Sequence, residues 1–373
     1  PLLTEPTKEN IPQSEAVETY KLIVEDLKFA AANIPAAAYP KANAAKNDGR
    51  ATSFAAKALL ARVYMFYSGY YGKEDIGITK TEVLAGLEDV ISSNEFDLVP
   101  EFKSLWPAAS YLADAENNVL DKTGYAGKGN SEVVFAQKFN NTQNYNGMVD
   151  GNRWLVMMGL RNTPASPYGK GWGACTVNPR TVQAFAEGDT RKTASIIDIE
   201  GEGIAEKFDL KDQREYTGYT VKKYTPTSNP DGTDDVGGDK DFQISQDQDF
   251  IVMRYADVLL MAAELGSPKA VQYFNEVHVR AGLSPKTTVT KEDILKERRF
   301  EFAFEGIRYW DLLRQGLNNA ATAIAQTQAV LSGNAADQVV IKAENITKTR
   351  GFMQIPNTQI TLSNNVLKQN SGW

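Results

Sequence analysis

Residues 297–316 read Glu297-Arg-Arg-Phe-Glu-Phe-Ala-Phe-Glu-Gly-Ile-Arg-Tyr-Trp-Asp-Leu-Leu-Arg-Gln-Gly316, and this stretch decides the fold. At about 100° per residue, Glu297, Glu301, Glu305, Arg308 and Gln315 share a narrow polar stripe, while Phe300, Phe302, Phe304, Ile307, Trp310 and Leu313 cover the other faces. A helix apolar around most of its circumference is a buried one. The pattern starts near Lys291, so the spacing predicts a single helix from there through Arg314 to Gly316. Glu301 and Glu305 suggest a glycosidase acid pair, in which two carboxyls flank the scissile bond. At i and i+4 they are also ordinary helix neighbours, with Arg298 and Arg308 within one turn to neutralise them, and this structural reading is preferred. Arg299 falls on the opposite side among aromatics, where it needs an acid from another helix or a ring to stack on.

Working outward, the same period recurs in pairs. Ser14 is the expected N-cap of a helix carrying Val17, Tyr20, Ile23, Val24 and Leu27 and ending by Pro35. Thr52 starts a second, apolar on most sides from Phe54 to Phe66 and therefore sandwiched between neighbours. Others are expected over about 81–91, 181–186 and 254–265, and Ser267-Pro268 opens one that runs to Ala281 before Gly282. Residues 132–139 alternate like a strand, and 140–176 is rich in Asn, Gly, Pro and aromatics without a sustained period. The expected fold is mostly α, with tetratricopeptide-like helix pairs, long irregular loops and a few short strands, although no clean repeat of about 34 residues is visible.

Bulk properties narrow the function. The 373 residues carry 42% hydrophobic and 23% charged side chains, an ordinary globular composition. A net charge of −7 without a basic cluster argues against nucleic acid as a partner. One cysteine, Cys175, rules out an internal disulfide or a cysteine-based zinc site, and a single histidine, His278, leaves little for acid–base relays. No stretch approaches the roughly 20 apolar residues that cross a bilayer, and residues 1–20 lack a signal-peptide pattern.

The stretch 297–316 resembles the signature helix of the SusD/RagB family, an Arg-Arg-acid-aliphatic-Ala-Phe-Glu-Gly-x-Arg-aromatic-Trp-Asp-Leu run. Four further segments resemble family elements in the same order. Gly49–Tyr64 is similar to the Ala-Lys-Ala-Leu-Leu-Ala-Arg-x-Tyr helix, and Phe250–Glu264 to the Arg-Tyr-Ala-Asp/Glu helix. Phe274–Leu283 resembles the Asn-x-Val-Arg-x-Arg-Ala-Gly-Leu element, with His278 in place of its arginine, and Ile355-Pro356 with Gln369–Trp373 resembles the Pro-Ile-Pro and Gln-Asn-x-Gly ending. The resemblance implies one SusD-like α/α superhelical domain over 1–373 with no catalytic residues. It implies a lipid-anchored protein of the external outer-membrane surface in Bacteroidetes polysaccharide utilization, which binds an oligosaccharide and delivers it to a SusC-like TonB-dependent transporter. The family's signal peptide, lipid-bearing cysteine and first helices precede the segment resembling 11–35, so the anchor is expected outside this sequence. A peptide-capturing RagB-like protein and a helical-repeat scaffold for a protein partner are the alternatives.

Sugars are held by flat aromatic faces, with Asn, Asp, Arg and Gln meeting the hydroxyls, so the site is expected on aromatic loops. Tyr145, Asn152, Arg153, Trp154, Arg161, Tyr168 and Trp172, concentrated in the irregular stretch among glycines, are the ligand-binding candidates. Trp154 reads equally as a ligand contact or as a cap on the Leu-Val-Met-Met run behind it. Trp106, Trp310, Trp373 and His278 fall in segments that the resemblance makes structural, and Cys175 reads as a small, partly buried side chain. No cofactor is expected. The acidic loop 231–241 has oxygen ligands for calcium but lacks the regular spacing of an EF-hand, and a solvated loop is preferred.

Overall fold

The structure, a computed structural model, describes residues 1–34, 49–142, 150–238 and 240–373. Among the described residues, three long helices open the chain: α1 (Ala16–Asn33), α2 (Ser53–Tyr71) and α3 (Lys80–Ser92). The Thr52 side chain caps α2 by accepting from the Ala55 amide at 3.0 Å, and Gly72, at φ +64°, ends it. Thr79 and Glu82 form a reciprocal capping box on α3. The sequence made Ser14 the N-cap of α1, but it does not cap the helix. Its hydroxyl accepts from the Leu2 amide at 2.8 Å, and Glu15 occupies the cap position without a side-chain bond.

The second half supplies the innermost helix, α4 (Tyr255–Glu264), buried from Tyr255 to Ala263, and its partner α5 (Ala270–Arg280). The sequence placed Arg254 inside α4; it instead ends strand β2 (Phe250–Arg254), which pairs antiparallel with β1 (Val133–Gln137). One apolar cluster joins α1 to α5 and continues to Phe302, with Val24, Phe54, Tyr64, Leu87, Leu259 and Phe274 among its members. The remaining strands pair two by two, including the hairpin β3 (Gln326–Ser332) and β4 (Ala335–Ile341), and no closed barrel forms among the described residues. The protein is mostly helical with a few short strands, the predicted fold class.

The helix predicted from Lys291 to Gly316 is broken in two. α6 (Lys291–Glu301) and α7 (Arg308–Leu313) are separated by a turn in which Phe304 has φ +66° and Gly306 φ +82°. A left-handed non-glycine residue costs roughly 1–2 kcal/mol, and buried ion pairs over-determine it here. Arg254 bridges both ends of the turn, with Nη1 2.8 Å from Glu301 Oε1 and Nε 2.9 Å from Glu305 Oε2. The neutralising partners therefore differ from the expected ones. Glu301 meets Arg191, Arg254 and Arg280, and Glu305 meets Arg254 and Lys223. Arg298 instead bridges Asp257 and Asp311, and the Arg299 guanidinium lies 5.5 Å from the Phe300 ring centre.

α7 packs so tightly on α2 that a Cβ on Gly69 would stand 2.3 Å from the Arg314 carbonyl oxygen. Gly69→Val is expected to destabilise by about 1–3 kcal/mol, read as a lower urea midpoint at unchanged denaturant slope.

Candidate functional site

The candidate region is built on close backbone approach. A Cβ on Gly151 would fall 2.1 Å from the Ile244 carbonyl oxygen, so only glycine lets this segment lie on residues 244–248. Asn152, fully buried, completes the joint: its Nδ2 donates to the Gln248 carbonyl at 2.8 Å and its Oδ1 accepts from the Trp154 amide at 2.9 Å. This launches the short helix Arg153–Met158, which exposes Arg153 and Trp154 and buries Leu155 and Val156. Residues 172–174 run back along its C-terminal carbonyls, with the Trp172 amide donating to Val156 at 2.8 Å and the Ala174 amide to Met157 at 2.8 Å. Two indoles thus stand on segments stitched to each other, Trp154 48% and Trp172 41% exposed. Trp154 stacks on Phe250 at 6.2 Å, Phe250 on Tyr224 at 5.4 Å, and Tyr224 meets Trp106 edge-on at 5.2 Å. The outer indole is braced by a column of rings that reaches the core.

The other candidates divide by partner. Arg161 supports Trp172, donating from Nη1 to its carbonyl at 2.9 Å and from Nε to the Asp212 carbonyl. Tyr168 is buried, its hydroxyl donates to Glu202 at 2.5 Å, and burial followed by the Glu202 charge pushes its pKa up. Asn152 and Tyr168 therefore spend their polar groups inside the protein. Tyr145 lies outside the described residues.

A cavity of about 500 Å³ beside the ring column is lined mainly by apolar side chains, among them Tyr20, Phe66, Phe250 and Trp310. A polar one of about 360 Å³ adjoins the Trp154 helix, sharing Leu155 as a wall. Tyr111 and Tyr125 meet there edge to face at 6.1 Å, with Lys122, Lys128, Gln246 and Gln248 around them. Lys122 is 2.7 Å from Asp235 and Lys128 3.0 Å from Asp247, so the charges balance. Burial, then Asp235 and Asp247, pushes the Tyr111 hydroxyl up to about 12, and burial raises that of Tyr125 too. Both are neutral donors at neutral pH, with no hydrogen-bond partner among the described residues. Sequence reading missed this pocket because its walls come from separate loops.

The acidic loop is part of that wall. Asp231 accepts from Asn118 and Thr233, Asp234 pairs with Lys170 at 3.3 Å and Asp235 with Lys122. Among the described residues no group of three or more His, Cys, Asp or Glu gathers to hold a metal, and Asp239 lies outside them.

Glu301 and Glu305 are not disposed as a glycosidase pair. Burial alone would raise both pKa values, but Arg280, Arg254 and Arg191 around Glu301, and Arg254 and Lys223 around Glu305, outweigh it and hold both below the usual range. A general acid needs the opposite shift. His278 sets Nδ1 2.8 Å from Glu297 Oε2 and tilts against Phe274, and burial raises the pKa of the partly buried Cys175 thiol.

Residues 212–373 match the sequence model of the SusD family. A SusD-like protein from Bacteroides ovatus is 24% identical over 320 residues, covering 81% of this chain and 51% of the relative. SusD-like protein P2 from Formosa agariphila is 24% identical over 339 residues, covering 81% of this chain and 57% of the relative. The chain thus spans between half and three-fifths of these curated relatives, 51% and 57% of their lengths. Among solved structures, surface glycan-binding protein A from Bacteroides thetaiotaomicron in complex with laminarihexaose superposes with a TM-score of 0.73 at 22% identity, over 97% of this chain and 73% of that one. A laminarin-binding SusD-like protein superposes with a TM-score of 0.73 at 26% identity, over 100% of this chain and 74% of that one. The ordered motifs, the paired-helix core and these matches agree: residues 212–373 match the SusD family model, and the chain as a whole is similar to SusD-like proteins.

Proposed function

We propose that residues 1–373 act as one non-enzymatic, glycan-binding domain, with the Trp154–Trp172 shelf and the Tyr111–Tyr125 pocket receiving an oligosaccharide. The observation that carries this reading is the juxtaposition of two braced, half-exposed indoles with a polar pocket whose phenol hydroxyls have no partner among the described residues. Indole faces cover the C–H surfaces of a pyranose, and the phenols, Gln246, Gln248 and the paired charges meet its hydroxyls. Arg153 stands exposed beside Trp154, and Arg161 holds Trp172 in place. The names of the laminarihexaose and laminarin-binding neighbours support a β-glucan as the first ligand to try.

Similarity to SusD-like proteins supports the wider setting: a lipid-anchored surface protein that passes its glycan to a SusC-like TonB-dependent transporter. No helix among the described residues is long and apolar enough to cross a membrane.

Calorimetric titration with laminarihexaose and a panel of other oligosaccharides tests the site. Trp154→Ala is expected to weaken binding roughly 10- to 100-fold, the value of one large apolar contact, with the thermal midpoint little changed. Tight binding of peptides with no glycan bound would transfer the protein to the peptide-capturing side of the family. Glycan binding untouched by both Trp154→Ala and Tyr125→Ala would place the site elsewhere.

A further inference from the structure

The ring column that braces Trp154 ends on a buried cation. Lys223, fully buried just after the strand Tyr219–Val221, drives its side chain into the ion network of the turn between α6 and α7. Its Nζ lies 2.7 Å from Glu305 Oε1 and donates to the Glu301 carbonyl at 2.9 Å. The same ammonium stands 5.1 Å from the Trp106 ring centre and 4.8 Å from that of Phe102, with the Arg254 guanidinium 5.9 Å from Trp106. Trp106 is fully buried and its Nε1 has no hydrogen-bond partner among the described residues, so packing and these two cations set its angle.

Two physical routes run from Lys223 to the Trp154 shelf. Along the first, the next residue, Tyr224, meets Trp106 edge-on at 5.2 Å and stacks on Phe250 at 5.4 Å, the ring on which Trp154 rests. The Tyr224 hydroxyl accepts from the Ile251 amide at 3.3 Å, which ties the column to β2. Along the second, the Lys223 carbonyl accepts from Gln248 Nε2 at 3.4 Å, and the Gln248 carbonyl accepts from Asn152, the residue that caps the Trp154 helix. Gln248 is also a wall of the tyrosine pocket. Pinning residue 223 therefore fixes the inner end of the column and one side of the pocket together.

Given the shelf and pocket as the glycan site, a reading on which this one rests, we infer that Lys223 is a positioning residue, its buried ammonium holding Tyr224 and through it Trp154 in the binding arrangement. The charged groups that face it are Glu305, Glu301 and Arg254, with Arg191 and Arg280 sharing Glu301 and the Tyr224 phenol alongside. Burial lowers the Lys223 pKa to about 8 against the pull of Glu305. Arg254, which burial alone would lower, is held well above its ordinary value by Glu305 and Glu301, and burial pushes the Tyr224 hydroxyl up. Lys223 is thus the member of this set that loses its charge as pH rises through about 8. A lysine whose folded pKa lies below its unfolded 10.5 releases its proton first in the folded protein, so through this group stability rises between about pH 8 and 10.5. A fall in glycan affinity over that window is then no consequence of unfolding through Lys223.

Calorimetric titration of the full chain and of Lys223→Met with laminarihexaose, or with whichever oligosaccharide of the panel binds, from about pH 7 to about pH 9 tests this. At neutral pH the variant is expected to bind roughly 2- to 30-fold more weakly, the range for a residue that acts through its neighbours. The parental affinity should fall toward that of the variant with a midpoint near pH 8, while the variant stays level. A folded Lys223→Met with parental affinity, or with the same pH profile as the parent, would overturn the role. If the variant does not fold, the parent decides alone, and a level affinity across the window overturns it. If the parent binds no oligosaccharide, the glycan reading fails, and Lys223 is judged on the Trp154 emission, taken as the difference between parent and Trp154→Phe. A shift in that emission centred near pH 8 upholds the positioning, and its absence refutes it.

Discussion

Glu301→Gln is expected to lower the stability of the protein by about 3–5 kcal/mol, the usual result of removing one partner from a buried ion network. Glu301 is fully buried and surrounded by Arg191, Arg254 and Arg280, and its own carbonyl accepts from Lys223 Nζ at 2.9 Å. Glutamine keeps the shape and removes the charge, leaving three guanidinium groups with fewer carboxylates in a place where water cannot help. Glu305→Gln acts through the same network by releasing Lys223, whose pKa burial already lowers to about 8. Urea unfolding at pH 7 measures both. A Glu301→Gln protein with the parental midpoint would refute the structural role, and a stable variant that had lost a hydrolytic activity would restore the glycosidase reading.

That network also shows what sequence carries. The 3.6-residue period of 297–316 was legible because Phe300, Phe302, Trp310 and Leu313 pack against neighbouring elements whatever the local geometry. The break between α6 and α7 was not legible. Gly306 hinted at it, but the residue that turns the chain most unexpectedly is Phe304, held at positive φ by Arg254 from a strand about 50 residues upstream. A local period cannot report a distant cation.

The site divides in the same way. The Asn, Gly, Pro and aromatic residues of 140–176 pointed to loops that lift rings to the surface, and Trp154 and Trp172 stand half-exposed there. Asn152 carried a second signal, an Asn directly before a short apolar run, which is the mark of an N-cap, and its side chain is used as one. The Tyr111–Tyr125 pocket had no local signal, because it depends on pairings such as Lys122 with Asp235 and Asn118 with Asp231, both 113 residues apart. Arg299 was half legible: it was expected to need an acid or a ring, and among the described residues it has only the ring.

Asp257→Asn is expected to cost about 3–5 kcal/mol at neutral pH, and the loss should shrink in acid. Asp257 is fully buried on α4 between Arg62, at 2.6 Å, and Arg298. Burial alone would raise its pKa, but Arg62 and Arg298 outweigh it and set the folded value at about 2, below the ordinary 3.8. A carboxylate whose folded pKa lies below its unfolded one adds stability above the unfolded value and loses it as pH falls through the folded one. The lowered pKa therefore contributes roughly 2 kcal/mol above about pH 4, lost by about pH 2. Asp293, also lowered to about 2, sits at a partly exposed helix cap where solvent screening cuts its share. Other acids titrate in both proteins, so the informative quantity is the stability difference between parent and Asp257→Asn across pH. It should be constant from neutrality to about pH 5 and narrow by roughly 2 kcal/mol toward about pH 2, because a protonated Asp257 and an asparagine leave Arg62 and Arg298 equally short of charge. A difference that stays flat, or widens, would show that the two arginines do not depend on the Asp257 charge.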